Sequence, residues 1–503
     1  MRVVVVGHGM VGSRFVEELV AHRRDVLVTV LGAEPHEPYN RVLLSELVAG
    51  RVEEGSLALP AATGPRVTVL APVAAVRLDR QACLVTTDDG SVLGYDVLVL
   101  ATGARARIPE VPGLAPLPSG AYPLRTLDDA TAIVRGAAPG VPAVVLGAGV
   151  LGLEVACGLA DRGLQVSLVH AGPHLMDRQL DEAASAAVAH GLARRDIAVR
   201  AGRRPEAVLV DTDGVHGIRL ADDEVLPARL FVLAAGTVPE TDLAADAGLA
   251  VGRGIVVDAD GATADPRVYA IGDCAQPPGG STGLIAQGWD QARRLAEHLA
   301  SHPGAPSRAT AASSRAAATD VVRLKARGLD VVTMGTTAAV AASRPAHRAV
   351  RLSDPSTGRH VEVVVAGGVV VGATCVGAGP VAAVLIAAYT RQTPVPADPA
   401  HLLLRPVRGS ASEAEPSLTL MPDGATVCRC NGVTKGELGR AWRDGARSIA
   451  DVAVATRATT GCGGCTDAVC GLLDWLRDSA GDDAPFAAGL ASLDDDPVAA
   501  RSA

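Results

Sequence analysis

A glycine-rich turn occurs twice in this 503-residue chain, each time after a run of β-branched residues and before a helical pattern. The first copy lies in VVVVGHGMVGSRFVEELV and the second in AVVLGAGVLGLEVACGLADRG. Their glycines are Gly7, Gly9 and Gly12 in the first copy and Gly147, Gly149 and Gly152 in the second. In such a unit the first glycine permits a tight turn, the second lets the backbone approach a pyrophosphate, and the third lets the helix pack on the strand. The repeat therefore predicts an α/β fold with two Rossmann-like dinucleotide-binding domains.

The end of the next strand in each unit bears on which dinucleotide binds. In the first unit, VLVTVLGAE ends on Glu34, whose carboxylate can accept hydrogen bonds from ribose hydroxyls. In the second unit, QVSLVH ends on His170, and no carboxylate follows before Asp177. A neutral or basic group at this place tolerates a 2′-phosphate, and Arg178 could pair with one. The choice of the second site between NADH and NADPH therefore stays open.

Four cysteines near the end of the printed sequence have the spacing of metal ligands. They are Cys428, Cys430, Cys462 and Cys465, a CxC pair and a CxxC pair with 31 residues between them. Thiolates are soft, strongly donating ligands, and four of them suit either a tetrahedral zinc ion or an iron–sulfur cluster. Spacing alone leaves both possibilities open.

Each cysteine pair precedes a predicted helix. Thr434 and Glu437 form a predicted capping box for the first helix, and Thr466 is the predicted N-cap of the second. The CxxC pair would then lie at the positive end of a helix dipole, which favours thiolates and an anionic cluster.

Composition argues against some classes of partner. The net charge of −9 with no basic block argues against nucleic acid or an anionic membrane surface as a partner. We interpret the five remaining cysteines as buried thiols, which indicates a reducing, cytoplasmic location. The stretch Ala366–Thr390 is uncharged, but glycines and a proline interrupt it. It therefore predicts a buried hairpin followed by a helix, not a membrane span.

Four further segments resemble the motifs of the FAD-dependent pyridine-nucleotide reductases. In chain order they are YDVLVLATGARARIPEVPG (95–113), YPLRTLDDA (122–130), VLAAGTVPE (232–240) and VYAIGDCA (268–275). The resemblance implies that the first domain binds FAD, and that an inserted domain binds NAD(P)H before the chain returns to the FAD domain. It also implies that Ala101, Thr102 and Gly103 line the FAD, and that Asp273 hydrogen-bonds its ribityl-pyrophosphate region.

The same resemblance indicates two candidate catalytic residues. Glu154 follows the second glycine turn and would point toward the nicotinamide cleft, with an exposed helix acid as the alternative. Arg41, in EPYNRVLLSEL, lies where this family brings side chains near the isoalloxazine ring, and it could stabilise the reduced flavin. Its alternative is a surface charge. No cysteine precedes Cys83, so the chain has no thiol there to relay electrons from the flavin through a disulfide.

The C-terminal part carries two further resemblances. The pattern LKxxGxDVxxxG (residues 324–335) resembles the domain after the flavoprotein core in NAD(P)H–rubredoxin reductases and in the large subunit of assimilatory nitrite reductase. The cysteine pairs resemble the bacterioferritin-associated ferredoxin type of [2Fe–2S] domain. On this resemblance the four cysteines hold a [2Fe–2S] cluster, with a structural zinc as the alternative.

These signals predict how the chain is divided into domains and connecting segments. They are an FAD-binding domain in two pieces (1–118 and 241–300), an NAD(P)H-binding domain (119–240), a small α+β domain (320–390), a linker (391–425), a small helical [2Fe–2S] domain (426–477) and a disordered tail (478–503), with a loop at 301–319.

Taken together, residues 1–475 resemble the diaphorase half of bacterial NAD(P)H nitrite reductase and the electron-transfer subunit of assimilatory nitrate reductase. The resemblance implies electron flow from NAD(P)H through FAD and [2Fe–2S] to the catalytic subunit of a nitrate or nitrite reductase. The sirohaem half of the nitrite reductase large subunit has no counterpart in the printed sequence, so we expect no nitrite reduction by it alone. The alternatives are a reductase of rubredoxin, ferredoxin or bacterioferritin, and a zinc-containing, nucleotide-responsive redox sensor.

Overall fold

The computed structural model describes residues 1–23, 25–60, 64–301, 320–354, 356–404, 421–428, 430–461 and 463–480. The chain divides into two compact units, residues 1–49 with 58–412 and residues 50–57 with 413–503. Several predictions lie outside the described residues. They are nearly all of the loop at 301–319, the middle of the linker (405–420), most of the disordered tail (481–503) and the ligand Cys462.

The first sheet contains five parallel strands. Their order across the sheet is Val268–Ala270, Val97–Leu100, Arg2–Val6, Leu27–Leu31 and Val67–Leu70. The central strand, Arg2–Val6, leads directly into the first glycine turn, and its four valines are all buried. Continuous burial is typical of a parallel strand with helices on both faces of its sheet, and β-branched side chains fit that surface.

The second sheet repeats this arrangement with five parallel strands. Their order is Ala198–Ala201, Gln165–His170, Pro142–Leu146, Leu230–Leu233 and Ala121–Pro123. The central strand, Pro142–Leu146, again leads into a glycine turn. The strand Val268–Ala270 follows every strand of the second sheet in sequence but pairs in the first sheet. The second Rossmann-like domain is therefore inserted in the first, which confirms the predicted fold class.

Helices cover both sheets. Helix Met10–His22 packs against helix Ile285–Ser301, and Phe15, Leu19 and Leu295 are fully buried in the core that these helices share with the first sheet. Burial of one such side chain contributes roughly 1.5–3 kcal/mol. The other α-helices of this unit are Leu44–Val48, Leu127–Gly136, Val150–Asp161, Glu182–Ala193, Asp242–Asp246, Ala338–Ala341 and Gly379–Arg391, and its 3₁₀ helices are Arg41–Leu43, Gly272–Cys274 and Pro399–Leu402.

Short ribbons complete the two nucleotide domains. Two of them are three-stranded and antiparallel, and two are strand pairs. Their strands are Ala75–Asp79, Leu84–Thr87 and Val92–Gly94; Pro205–Asp211, Gly214–Leu220 and Val225–Pro227; Ala104–Ala106 with Thr237–Pro239; and Ile255–Val256 with Ala275–Gln276.

A third five-stranded sheet, here called the small sheet, lies within residues 322–376 and is antiparallel. Its strand order is Val322–Arg323, Val331–Gly335, Val369–Val376, Arg359–Ala366 and Arg348–Asp354. The uncharged stretch thus forms the turn and the second strand of a hairpin, whose first strand is Arg359–Ala366, and then helix Gly379–Arg391, so the predicted hairpin and helix are present. Among the described residues no helix has both the length and the apolar character needed to cross a membrane.

An ion-pair network joins the small sheet to the second nucleotide domain. Arg351 donates to Glu362 on the neighbouring strand at 2.6 Å and to Asp181 at 2.5 Å. Asp181 is also the N-cap of helix Glu182–Ala193, where its side chain accepts from the Ala184 N–H. The Glu362 side chain is only 3% exposed, so Arg351 supplies the cation that this buried carboxylate requires.

The described part of the second unit holds three helices, a short hairpin and one 3₁₀ helix. They are Lys435–Arg443, Ile449–Thr456 and Thr466–Ala480, the strands Thr426–Cys428 and Val433–Thr434, and Glu54–Leu57. The predicted capping box is confirmed, because Glu437 accepts from the Thr434 N–H at 2.8 Å while Thr434 accepts from the Glu437 N–H. The prediction of Thr466 as an N-cap is wrong. Thr466 is already the first helical residue, and its hydroxyl donates to the Gly463 carbonyl.

Candidate functional site

The first glycine turn, residues 7–12, is closed on the protein side and open on the other. Gly7 has φ +117°, and a Cβ there would lie 2.2 Å from the Ala101 carbonyl oxygen. A Cβ on Gly12 would lie 2.1 Å from the Gly7 carbonyl oxygen. A Cβ on Gly9 would meet only the Arg41 Nε, at 3.9 Å. The turn therefore needs Gly7 and Gly12 for its own packing. The space beside the middle glycine, Gly9, stays accessible to a ligand.

The second glycine turn, residues 147–152, has the same contacts. Gly147 has φ +109°, and its Cβ would lie 2.3 Å from the Ala234 carbonyl oxygen. A Cβ on Gly152 would lie 1.8 Å from the Gly147 carbonyl oxygen, whereas one on Gly149 would meet nothing within 4 Å. Two turns far apart in sequence thus leave equivalent open space at their middle glycine.

The open space at each turn lies at the start of a helix. Gly9 caps helix Met10–His22 and Gly149 caps helix Val150–Asp161, and neither cap provides a side-chain acceptor among the described residues. The first backbone N–H groups of these helices can therefore bind a phosphate, which the helix dipole also favours. The residues present fit the pyrophosphate of a dinucleotide at both turns.

Both turns line one cavity of about 1,580 Å³. The predicted site residues that line it are Gly7, Gly9, Glu34, Arg41, Ala101, Thr102, Gly103, Gly147, Gly149, Glu154, His170, Arg178 and Asp273. Gly12 and Gly152 instead pack behind the turns. The fold thus gathers residues from the two nucleotide domains around a single space.

The segments that resemble FAD motifs meet at the carboxyl ends of the first sheet. Thr102 donates its hydroxyl to the Glu240 carbonyl at 2.7 Å. Asp273 accepts from Arg125 Nη2 at 2.8 Å, although the two are 148 positions apart. Asp273 therefore already has a cationic partner in the cavity. A cofactor hydroxyl that binds Asp273 would share its carboxylate with Arg125. Sequence analysis did not identify Arg125.

Glu34 and Arg41 form an ion pair at the edge of the first glycine turn. Tyr39 donates its hydroxyl to the other Glu34 oxygen at 2.7 Å, and its ring lies 4.7 Å from the Arg41 guanidinium. Burial raises the pKa of Tyr39, so the hydroxyl remains a donor. Arg41 also lies beside Gly9. Contact of Arg41 with the isoalloxazine ring stays a prediction, and the structure places Arg41 beside the open space of the first glycine turn.

Glu154 is only 1% exposed, so the alternative of an exposed helix acid is wrong. Its Oε2 accepts from the Ser45 hydroxyl at 2.6 Å. Its Oε1 accepts from both the backbone N–H of Lys325, at 2.9 Å, and the Lys325 Nζ, at 2.8 Å. Sequence analysis did not assign Lys325 to the site. The role of Glu154 at the nicotinamide cleft stays a prediction, and its carboxylate is buried and held at both oxygens.

At the end of strand Gln165–His170, charged groups of both signs meet. The His170 Nδ1 accepts from the Ala148 N–H at 3.3 Å, and the His170 Nε2 lies 3.5 Å from an Asp177 oxygen. Arg178 and Arg204 are exposed and line the cavity here. Asp177 lies seven residues after the end of the strand in the sequence, but the intervening turn brings its carboxylate close to His170.

The second unit contains the cysteine site. Cys428 and Cys465 are buried, 2% and 8% exposed, and Cys430 is partly buried. Hydrogen bonds, foremost from the Cys465 thiol, lower the pKa of Cys428 to about 6 in spite of its burial. Cys470, on the last helix, is different, since burial raises its pKa. A thiol that ionises readily beside a second cysteine suits thiolate ligation of a metal.

Comparison with known families agrees with this arrangement. The pyridine nucleotide-disulphide oxidoreductase model matches residues 1–315, and the BFD-like [2Fe-2S] binding domain model matches residues 426–475. In the solved covalent complex of putidaredoxin reductase and putidaredoxin, a matching chain is 25% identical with a TM-score of 0.69. The match covers 80% of this chain and 95% of that one.

Three curated relatives extend the comparison. Nitrite reductase [NAD(P)H] of Bacillus subtilis (strain 168) is 31% identical over 92% of this chain and 56% of the relative. The assimilatory nitrate reductase electron transfer subunit of the same organism is 30% identical over 95% of this chain and 60% of the relative. Rhodocoxin reductase of Rhodococcus erythropolis is 35% identical over 59% of this chain and 72% of the relative. The chain thus spans little more than half the length of the first two.

Proposed function

Because the chain belongs to the pyridine nucleotide-disulphide oxidoreductase family, it is an FAD-dependent NAD(P)H oxidoreductase, and we propose that it supplies electrons to an assimilatory nitrate or nitrite reductase. Electrons would pass from NAD(P)H through FAD and the [2Fe–2S] cluster to the catalytic subunit of that reductase. A cytoplasmic location is part of the proposal, since thiolate-held clusters and unoxidised thiols need a reducing compartment.

The three cofactors supply the redox chemistry: hydride transfer from the nicotinamide C4 to FAD, and then one-electron transfer through the cluster. The protein supplies binding and orientation. In the proposal the first glycine turn (residues 7–12, here the FAD turn) and the second glycine turn (residues 147–152, here the coenzyme turn) bind the two pyrophosphates through backbone N–H groups. Glu34 and Arg41 bind the FAD ribose and pyrophosphate, and Asp273 binds the ribityl region. Cys428, Cys430, Cys462 and Cys465 hold the cluster.

The observation that carries the choice of partner is the extent of the matches. The match to the nitrate reductase electron transfer subunit covers 95% of this chain, whereas the match to rhodocoxin reductase covers 59%. A match over most of the chain supports a shared acceptor better than a match confined to little more than half of it. The extent of the matches therefore favours a nitrate or nitrite reductase over a small redox protein as the acceptor.

The second candidate is a reductase of ferredoxin, rubredoxin or bacterioferritin. The relatives that favour it are those named as ferredoxin reductase components, such as that of the biphenyl dioxygenase system, which is 34% identical over 55% of this chain. The zinc-containing sensor is set aside, because the match at residues 426–475 is to a [2Fe–2S] domain.

Reconstitution with purified acceptors tests the proposal. The protein is mixed anaerobically with NADH or NADPH and one acceptor: a nitrate reductase catalytic subunit with nitrate, a sirohaem nitrite reductase with nitrite, ferredoxin, rubredoxin or bacterioferritin. We expect coenzyme oxidation that depends on nitrate or nitrite and on the matching subunit. Faster transfer to ferredoxin, rubredoxin or bacterioferritin than to either reductase would overturn the proposed partner.

A further inference from the structure

A partly buried lysine from the small-sheet region reaches into the boundary between the two nucleotide domains. Lys325 follows strand Val322–Arg323, and its Nζ lies 2.8 Å from Glu154. The Lys325 side chain is 19% exposed and that of Glu154 is 2% exposed. Both residues line the cavity that the two glycine turns share. Three parts of the fold therefore meet at one carboxylate, because Ser45 of the FAD domain holds its other oxygen.

The composition of the chain makes this lysine unusual. The sequence has 44 arginines but only two lysines, Lys325 and Lys435. Exposed cationic positions of this chain are filled by arginine throughout. An ammonium group differs from a guanidinium in being a compact point charge that fits a confined space. Lys325 therefore places a compact ammonium group beside Glu154 in a chain whose cationic side chains are nearly all guanidinium groups.

The location of the pair relates it to the reaction. Glu154 lies on the helix that begins at the coenzyme turn, and Ser45 lies on the short helix that follows Arg41. The nicotinamide and isoalloxazine rings must lie in contact between the two nucleotide domains for a hydride to pass. The hydride carries two electrons, so one negative charge arrives on the flavin side as the nicotinamide side becomes positive.

We propose that Lys325 is a positioning and charge-balancing residue of the hydride-transfer site, contributed from outside both nucleotide-binding folds. Lys325 fixes the Glu154 carboxylate through two hydrogen bonds and offsets its charge. Without this cation, a buried carboxylate would oppose the negative charge that arrives on the flavin. A fixed ion pair in a confined cavity influences such a charge more strongly than a solvated one does. Lys325 neither gives nor takes a proton in this step.

The inference rests on the flavin chemistry of the family and not on the identity of the final acceptor. The test therefore measures the rate of flavin reduction by the coenzyme, with anaerobic stopped-flow absorbance as the readout and no protein partner present. The midpoint potential of the bound FAD and the FAD content are measured on the same samples. Failure of the proposed nitrate or nitrite reductase partner would leave these quantities unchanged.

Lys325→Met keeps the length of the side chain and removes its charge. We expect a more negative FAD midpoint potential and about tenfold or greater slowing of flavin reduction at saturating coenzyme, with little change in coenzyme affinity. Lys325→Arg should recover part of the potential. The double variant Lys325→Met with Glu154→Gln removes both charges and should bring the potential back toward that of the unmodified protein.

Arg351→Met is the matched control. It removes another cation that joins the small sheet to the second nucleotide domain, and it does so outside the cavity. We expect lower thermal stability in this variant with the FAD potential unchanged.

An FAD potential and flavin reduction rate in Lys325→Met equal to those of the unmodified protein would overturn the inference. Equal potential shifts in Lys325→Met and Arg351→Met would also overturn it, since they would indicate a docking role alone. If Lys325→Met does not fold, the comparison of Lys325→Arg with the neutral double variant decides the same question.

Discussion

Individual charged residues distinguish the two nucleotide sites more clearly than the glycine turns do. At the first site, Glu34 accepts hydrogen bonds from Tyr39 and Arg41. At the second, Asp177 approaches His170 while Arg178 and Arg204 face the same cavity. The carboxylate suits the ribose hydroxyls of NADH, and the arginines suit the 2′-phosphate of NADPH. We therefore expect the balance of these groups to decide the coenzyme preference.

The contribution of Arg178 can be measured directly. Arg178→Ala should lower kcat/KM for NADPH by roughly tenfold and change that for NADH little, because only NADPH presents a phosphate to the guanidinium. The measurement is steady-state dye reduction with each coenzyme. Arg194→Ala, at an exposed arginine outside the cavity lining, is the control. An equal effect of Arg178→Ala on both coenzymes would show that Arg178 does not contact the 2′-phosphate.

His360 should make stability depend on pH. It is fully buried, and burial lowers its pKa from the usual 6.5; Asp181 and Glu362 oppose this shift and Arg351 adds to it. The folded protein therefore binds the proton less readily than the unfolded chain. The free energy of unfolding should thus be highest above pH 6.5 and fall as the pH decreases below it.

His360→Asn tests this assignment, since asparagine keeps a polar group near Ser353, whose hydroxyl lies 3.1 Å from the His360 Nδ1. Thermal unfolding midpoints from pH 5 to 8 should fall less steeply toward low pH in the variant than in the unmodified protein. Parallel curves for the two proteins would mean that another group causes the pH dependence.

At the scale of elements, the glycines of each strand–turn–helix unit differ in the space beside their Cα atoms, as the second unit shows. Gly149 has φ −77°, which any residue can adopt, and a Cβ there meets nothing within 4 Å. Gly152 has no such room, since its Cβ would lie 1.8 Å from a backbone oxygen. We therefore expect Gly149 to be needed for ligand binding, whereas Gly152 is required by the fold.

Gly149→Ala should therefore fold normally, bind FAD and lose coenzyme affinity by roughly tenfold or more, because its methyl group would occupy the space of the pyrophosphate. Gly152→Ala should instead lower the melting temperature. Coenzyme dissociation constants and melting temperatures of both variants provide the measurement. Normal coenzyme affinity in Gly149→Ala would place the pyrophosphate elsewhere.

Local patterns explain how much could be predicted at this scale. The strands and helices beside the glycine turns follow from β-branched runs and from the turns themselves, and the hairpin within Ala366–Thr390 follows from its glycines. Contacts between distant segments could not be predicted in this way. Lys325 meets Glu154 across 171 positions, and no local pattern records that pairing. The placement of Arg41 beside Gly9, with its ion pair to Glu34, likewise depends on contacts that no local pattern records.

At the scale of the whole molecule, the central question is whether electrons leave through the cluster. Cys430→Ser should leave dye reduction by NAD(P)H largely intact and abolish transfer to the natural acceptor, because dyes can take electrons at the flavin and the acceptor requires the cluster. Cys470→Ser is the matched control in the same small domain, at a thiol whose pKa burial raises. Equal loss of both activities in Cys430→Ser would contradict the proposed order of electron transfer.

The most direct test of the account is an anaerobic visible spectrum of the purified protein before and after NADH or NADPH is added in separate cuvettes. We expect flavin bands with an additional broad iron–sulfur absorption, both of which bleach with at least one coenzyme. The comparison of the two cuvettes also gives the coenzyme preference. A flavin spectrum without the broad absorption, with zinc in place of iron by metal analysis, would contradict the account, because electrons would then have to leave directly from the flavin.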